Sequence, residues 1–105
     1  IGINPIFSYL WEQDKVRFEA ATDLEVKEAL RLIMRMEGLI PALETTHAFA
    51  SAIKEAPTMA ADQIILINQS GRGDKDIFMI ADALNDQQWK SFIKDKAAQY
   101  RLEEN

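Results

Sequence analysis

The chain has 105 residues, enough for one compact domain with a single core, and its apolar share of 48% is that of a globular protein rather than a disordered one. A formal charge of −5 with no basic stripe argues against a nucleic-acid surface, and the lack of cysteine excludes disulfides, thiolate metal sites and thiol nucleophiles. No apolar run approaches the roughly 20 residues that cross a bilayer and no charged-then-apolar leader opens the chain, so the expectation is a soluble, cytoplasmic protein with small-molecule partners and neither nucleic acid nor membrane.

The chain begins at Ile1 without a methionine and enters a tight Gly2-Ile3-Asn4-Pro5 turn, which points to a piece of something longer. Val16, Phe18 and Ala20 alternate with Arg17, Glu19 and Ala21, the pattern of a half-buried strand. Thr22-Asp23-Leu24-Glu25 is a capping box, because the Thr hydroxyl accepts from the third helical N–H while Glu25 reaches back. Val26, Ala29, Leu30, Ile33 and Met34 recur at helical spacing before Gly38, so a helix runs from about Asp23 to Glu37. Pro41 can open the next helix, whose Ala48, Phe49, Ala52, Ile53 and Ala56 form a narrow face suited to a sheet, and Pro57 closes it. Ile64-Ile65-Leu66-Ile67 reads as a buried strand delivering Asn68-Gln69-Ser70-Gly71-Arg72-Gly73-Asp74-Lys75-Asp76 to a sheet edge. Ile77, Phe78, Ile80, Ala81 and Leu84 indicate a short helix capped by Asp74 or Asp76. A last helix starts at Asp86, with Trp89, Phe92, Ile93, Ala97 and Tyr100 on one face, and Arg101 to Asn105 reads as a frayed tail.

The order is therefore β-α-α-β-loop-α-α, an α/β arrangement. Two strands are too few for a parallel sheet covered on both faces, so the remaining strands are expected from other segments. In the loop, Gly71 and Gly73 permit positive φ and bring backbone N–H groups toward a ligand, while Asp74, Lys75 and Asp76 put both charge signs at a helix start. Ser70 is the first polar side chain after the apolar run and stands on a rigid support. The spacing matches neither the phosphate loop nor the dinucleotide fingerprint, and on spacing alone a plain polar turn capping a helix is favoured. Glu44 falls near a helix N-terminus, where a carboxylate is favoured by the macrodipole and needs no further role. His47 is the single histidine, and beside alanines it reads as a structural hydrogen-bonding residue rather than a catalytic one.

Two stretches taken together resemble the tryptophan synthase β chain, a pyridoxal-phosphate enzyme of the fold-type II class. Glu37-Gly38-Leu39-Ile40-Pro41-Ala42-Leu43-Glu44-Thr45-Thr46-His47-Ala48 is similar to that family's Glu-Gly-Ile-Ile-Pro-Ala-Leu-Glu-Ser-Ser-His-Ala, and Ser70 to Asp76 reads as its Ser-Gly-Arg-Gly-Asp-Lys-Asp. Gly2-Ile3-Asn4-Pro5 followed by Ser8-Tyr9-Leu10 also looks like the family's Gly-Val-Gly-Pro and Ala/Ser-Tyr-Leu, with Asn4 in place of a glycine. The similarity spans Gly2 to about Leu84.

The resemblance implies part of a three-layer α/β/α fold, comprising residues 1–105 as one α/β segment from the C-terminal part of a longer catalytic chain. It implies that Ser70, with Gly71 beside it, meets the pyridine nitrogen of pyridoxal 5'-phosphate, and that Glu44 lies at the cofactor's reactive side as a catalytic group. Arg72, Gly73, Asp74 and Lys75 would support the site, and the carbonyl of Gly2 would serve a monovalent cation. A neutral hydroxyl leaves the ring nitrogen largely unprotonated and tempers the electron sink, which suits β-replacement of the serine hydroxyl by indole to give tryptophan. The family's Schiff-base lysine follows a histidine and its phosphate sits in a Gly-Gly-Gly-Ser-Asn loop; neither is present. The chain alone is thus expected to be inactive, and active only with the rest of the β chain, in a β homodimer with an α chain. A threonine synthase or cysteine synthase type of fold-type II enzyme is the alternative, as is a non-catalytic ligand-binding or self-assembling module.

Overall fold

The structure, a computed structural model, describes residues 3–102. Among the described residues five helices run in chain order: α1 (Pro5–Glu12), α2 (Asp23–Glu37), α3 (Leu43–Glu55), α4 (Ile77–Ala83) and α5 (Gln87–Tyr100). Short 3₁₀ turns at Ala56–Thr58 and Asp74–Asp76 extend α3 and precede α4.

Among the described residues there is no β-strand, only one isolated antiparallel bridge between Pro41 and Arg72. The expected β-α-α-β-loop-α-α order is corrected accordingly: both strand candidates are unpaired segments, and neither Val16–Ala21 nor Ile64–Ile67 makes a backbone–backbone hydrogen bond among the described residues. A β-branched apolar run reports the environment a segment suits, whereas a strand also needs a neighbour to take its N–H and C=O groups. Without one, Ile64 and Leu66 are 88% and 94% exposed rather than buried.

The α2–α3 pair holds the core. Thr22 accepts from the Glu25 amide at 3.2 Å and the Glu25 carboxylate accepts from the Thr22 amide at 2.8 Å, so the predicted capping box forms. Val26, Ala29 and Leu30 of α2 are buried, with Ile33 and Met34 half-buried. Gly38 adopts φ +65°, the left-handed conformation that ends α2, and the chain turns back toward α3. On α3 the buried residues are Thr45, Thr46 and Ala50, whereas Ala48, Ile53 and Ala56 of the expected sheet-facing stripe are exposed. An open groove of about 770 Å³ lies where that sheet was expected, lined by Ala48, Ser51 and Ala52 of α3 and by stretches of both unpaired segments.

Of the predicted Gly2–Pro5 turn, Gly2 lies outside the described residues, and Asn4-Pro5 opens a helix. Asn4 accepts from the Ile6 amide at 2.9 Å with Pro5 as the first helical residue, a start signal for α1. α3 begins at Leu43 rather than Pro41, which is occupied by the bridge to Arg72. Asp86 caps α5 by accepting from the Trp89 amide at 2.7 Å, as expected. Of the predicted apolar faces of α4 and α5, only Ile80 is buried. A tilted contact between Phe78 and Trp89, with centroids 5.4 Å apart, joins these helices, and Trp89 stacks on Phe92 within α5 at 5.8 Å. Residues 103–105 of the tail lie outside the described residues. The Cα radius of gyration, 18.4 Å, exceeds the roughly 13 Å of a compact chain of this size, so the helices share no single closed core.

Candidate functional site

The two motifs singled out in the sequence meet at the N-terminus of α3. The Gly73 amide donates to the Ile40 carbonyl at 2.7 Å and the Ala42 amide to the Gly71 carbonyl at 3.2 Å, on either side of the Pro41–Arg72 bridge. Pro41, Ala42 and Gly73 are buried by this contact. The glycines work differently from expectation: neither Gly71 nor Gly73 has positive φ, and Gly73 lies at φ −87°, ψ −4°. A Cβ on Gly73 would stand 2.5 Å from the Pro41 carbonyl oxygen and 2.9 Å from that of Ile40, so what glycine provides there is close approach of two backbones.

Below the bridge, charge fastens the loop to the helix. Asp76 does not cap α4 with its side chain; its Oδ2 accepts from the Leu43 amide at 3.3 Å, the first N–H of α3. The Lys75 ammonium spans Asp76 at 2.8 Å and both Glu44 oxygens at 3.2 and 3.3 Å. Each pair places a carboxylate near a helix N-terminus, where the backbone dipoles favour negative charge. Glu44 is held below the usual carboxylate range, first by its own backbone N–H and then by Lys75. Asp76 is lowered chiefly by Lys75, with a smaller part from the Leu43 amide, against the opposing effect of burial. Lys75 is raised by Asp76 first and Glu44 second.

Above the bridge stand Ser70 and Thr45. Thr45 is 3% exposed and its Oγ1 accepts from the Ser70 amide at 3.3 Å, while the two hydroxyl oxygens lie 3.1 Å apart. Ser70 itself is exposed. The structure therefore brings Ser70, Gly71, Gly73, Glu44 and Lys75 to one junction. Arg72 and Asp74 pair with each other at 3.4 Å, at 85% and 66% side-chain exposure, and reach neither Ser70 nor Glu44. Gly2, the expected cation ligand, lies outside the described residues. His47 is exposed and its Nδ1–H donates to the Leu43 carbonyl at 2.8 Å, a bond within its own helix. Among the described residues no group of three His, Cys, Asp or Glu could hold a metal ion, and no helix is long and apolar enough to cross a membrane. Thr45 and the anchoring role of Asp76 were missed by sequence reasoning. The adjacency of Glu44 and Thr45 in the motif was the available signal, yet the contact across 25 residues to Ser70 left none.

Sequence and geometry together define a serine-bearing glycine loop locked against an acidic helix N-terminus. No family model matches the chain. A tryptophan synthase beta chain from Helicobacter hepaticus is 45% identical over 97 residues, which is 92% of this chain and 23% of that protein. The chain is a homologue of the C-terminal portion of the tryptophan synthase beta chain.

Proposed function

We propose that the chain forms one wall of the pyridoxal-phosphate site of a tryptophan synthase β polypeptide, the enzyme that replaces the hydroxyl of L-serine with indole to give L-tryptophan. The observation that carries this reading is the docking of the Ser70 loop on the α3 N-terminus, which unites the two motifs quoted for the family. The identity to a beta chain over nearly the whole segment supports it.

The residues present fit the cofactor's ring edge. A pyridine nitrogen is an acceptor, and Ser70 offers an exposed hydroxyl on a backbone pinned at Gly71 and Gly73. Ser70, with Gly71 beside it, would hold that nitrogen, and pyridoxal phosphate when bound supplies the electron sink for bond changes at the amino acid's α-carbon. A neutral hydroxyl orients the ring without protonating it. Glu44 is the acidic group proposed for the reactive side, kept ionised by its own amide and by Lys75, in the state that accepts a proton or a hydrogen bond. Gly73, Lys75 and Asp76 hold the loop on α3, while Arg72 and Asp74 brace its outer edge.

The Schiff-base lysine, the phosphate-binding loop and the missing strands of a three-layer α/β/α fold are proposed to come from the rest of the β chain, with a second β chain and an α chain as further partners in the cytoplasm. The 105-residue chain by itself is then inactive. In the full-length polypeptide, Ser70→Asp should retain the cofactor but shift its absorption and lower the serine-dependent rate, because a carboxylate draws a proton onto the ring nitrogen. Unchanged spectra and rate would remove Ser70 from the site.

A further inference from the structure

We propose that Thr45 is a positioning residue that fixes the direction of the Ser70 hydroxyl hydrogen, presenting Ser70 outward as a hydrogen-bond donor; this deepens the cofactor reading above and rests on it. The argument is an accounting of one hydroxyl. Thr45 Oγ1 has one hydrogen and two lone pairs, and the Ser70 amide at 3.3 Å occupies a lone pair. The remaining contact, 3.1 Å between the two oxygens, has a single hydrogen in it, from either side.

Were Ser70 the donor, the Thr45 hydrogen would need another acceptor. Thr45 is 3% exposed, so water is not at hand, and its hydroxyl has no hydrogen-bond partner other than Ser70 among the described residues. Thr46, one residue on, shows the usual escape: it donates back to the Ala42 carbonyl at 2.9 Å, and Thr45 does not do the same toward Pro41. A buried hydroxyl hydrogen left without an acceptor is costly, and no buried side-chain polar atom among the described residues is unpartnered. Thr45 therefore donates to Ser70 Oγ. The Ser70 hydrogen is turned away from the helix toward the exposed side, where it complements an unprotonated aromatic nitrogen and would oppose a protonated one. Thr45 thus acts on the ring through Ser70 and touches no reacting atom.

The test uses the full-length β polypeptide. Thr45→Val keeps the shape and removes the hydroxyl, Thr45→Ser restores it, and Ser70→Ala reports on the reading underneath. Equilibrium dialysis measures the affinity for pyridoxal 5'-phosphate, and the absorption of the bound cofactor reports its ring environment. Thr45→Val should weaken binding about 2- to 10-fold, the range of one ordinary hydrogen bond, and shift the absorption in the same direction as Ser70→Ala. Thr45→Ser should restore both, and Thr45→Val should add nothing to Ser70→Ala. If Thr45→Val does not fold, Thr45→Cys, whose thiol is a weaker donor, carries the comparison. Affinity and spectrum unchanged by the Thr45 variants while Ser70→Ala moves them would overturn the positioning role alone; no response to Ser70→Ala would overturn it together with the cofactor reading.

Discussion

Placing a single methyl group on Gly73 tests how the site is assembled. The Gly73 backbone has φ −87° and ψ −4°, which an L-residue can adopt, so dihedral strain is the smaller part of the cost of Gly73→Ala. Its Cβ would instead meet the Pro41 carbonyl oxygen at 2.5 Å, the Ile40 carbonyl oxygen at 2.9 Å and the Ile40 Cγ2 at 2.5 Å. Two of these are backbone atoms, so relief requires separating the strips and stretching the 2.7 Å bond from the Gly73 amide to Ile40. Overpacking at a filled position costs about 1–3 kcal/mol and a lost hydrogen bond about 0.5–1.5 kcal/mol, so the junction should weaken by about 2–4 kcal/mol. Gly71 is the internal control. A Cβ there meets only the Ala42 Cβ at 3.6 Å, an ordinary contact, and Gly71→Ala should be neutral or stabilise by about 0.4–1 kcal/mol through the unfolded chain. Hydrogen exchange of the Ala42 and Gly73 amides in the full-length polypeptide measures the opening of the junction for both variants. Equal protection in the two would refute close approach as the reason for Gly73.

Lys75→Gln should raise the titration of both carboxylates it contacts, and Asp76 should move further than Glu44, because Lys75 is the leading influence on Asp76 while the leading influence on Glu44 is its own amide. Carbon-detected NMR titration of the two carboxyls checks the order. The sign for the parent follows from linkage: both carboxylates are lowered on folding, so their contribution is complete above the ordinary carboxylate range of about 4 and is lost as pH falls through the lowered values. Lys75 is raised, so its contribution is present below about 10.4 and is lost as pH rises through the raised value; amide exchange at the junction should accelerate at both ends, and in Lys75→Gln the alkaline limb should vanish. Leu30→Ala, at a side chain 1% exposed, should cost about 2–5 kcal/mol in urea unfolding. Leu66→Ala, at 94% exposure, should stay within about 0.5 kcal/mol in the isolated chain, and a core-sized cost in the full-length polypeptide would mark the layer that covers it there.

What could be read from the sequence was what neighbours in the chain decide. The Thr22–Glu25 box, the Gly38 reversal and the Asp86 cap are each contained within five residues, and each forms. The Asn4-Pro5 start of α1 has the same local character, although the same residues also suit a turn. Strand assignments differ because pairing is a property of two segments, and Ile64–Ile67 has no pairing partner among the described residues. The glycines of the loop were assigned to a motif for the wrong physical reason: positive φ is a local trait, whereas close approach to Ile40 and Pro41 depends on a contact across more than 30 residues. Ser70 and Glu44 stand out by motif likeness, while the contact of Thr45 with Ser70 needs the fold.

The core and the site depend on different parts of the molecule. Exposed apolar side chains are spread over α1, the unpaired segments and α4, with Ile6 at 66%, Leu66 at 94% and Phe78 at 67% exposure, the character of surfaces that other structure covers. The junction at α3 needs none of them. Its fastenings, from Ile40 to Thr45 on one side and from Ser70 to Asp76 on the other, lie wholly within the two motifs: the two backbone bonds that make the Pro41–Arg72 bridge, the Thr45–Ser70 pair and the Lys75 cluster with the Asp76–Leu43 bond. The Ser70 loop is therefore set against α3 by contacts within these two motifs alone. A preset loop limits how far Ser70 can move relative to Glu44, and that constraint is what the proposed hydrogen bond from Ser70 to a ring nitrogen would require.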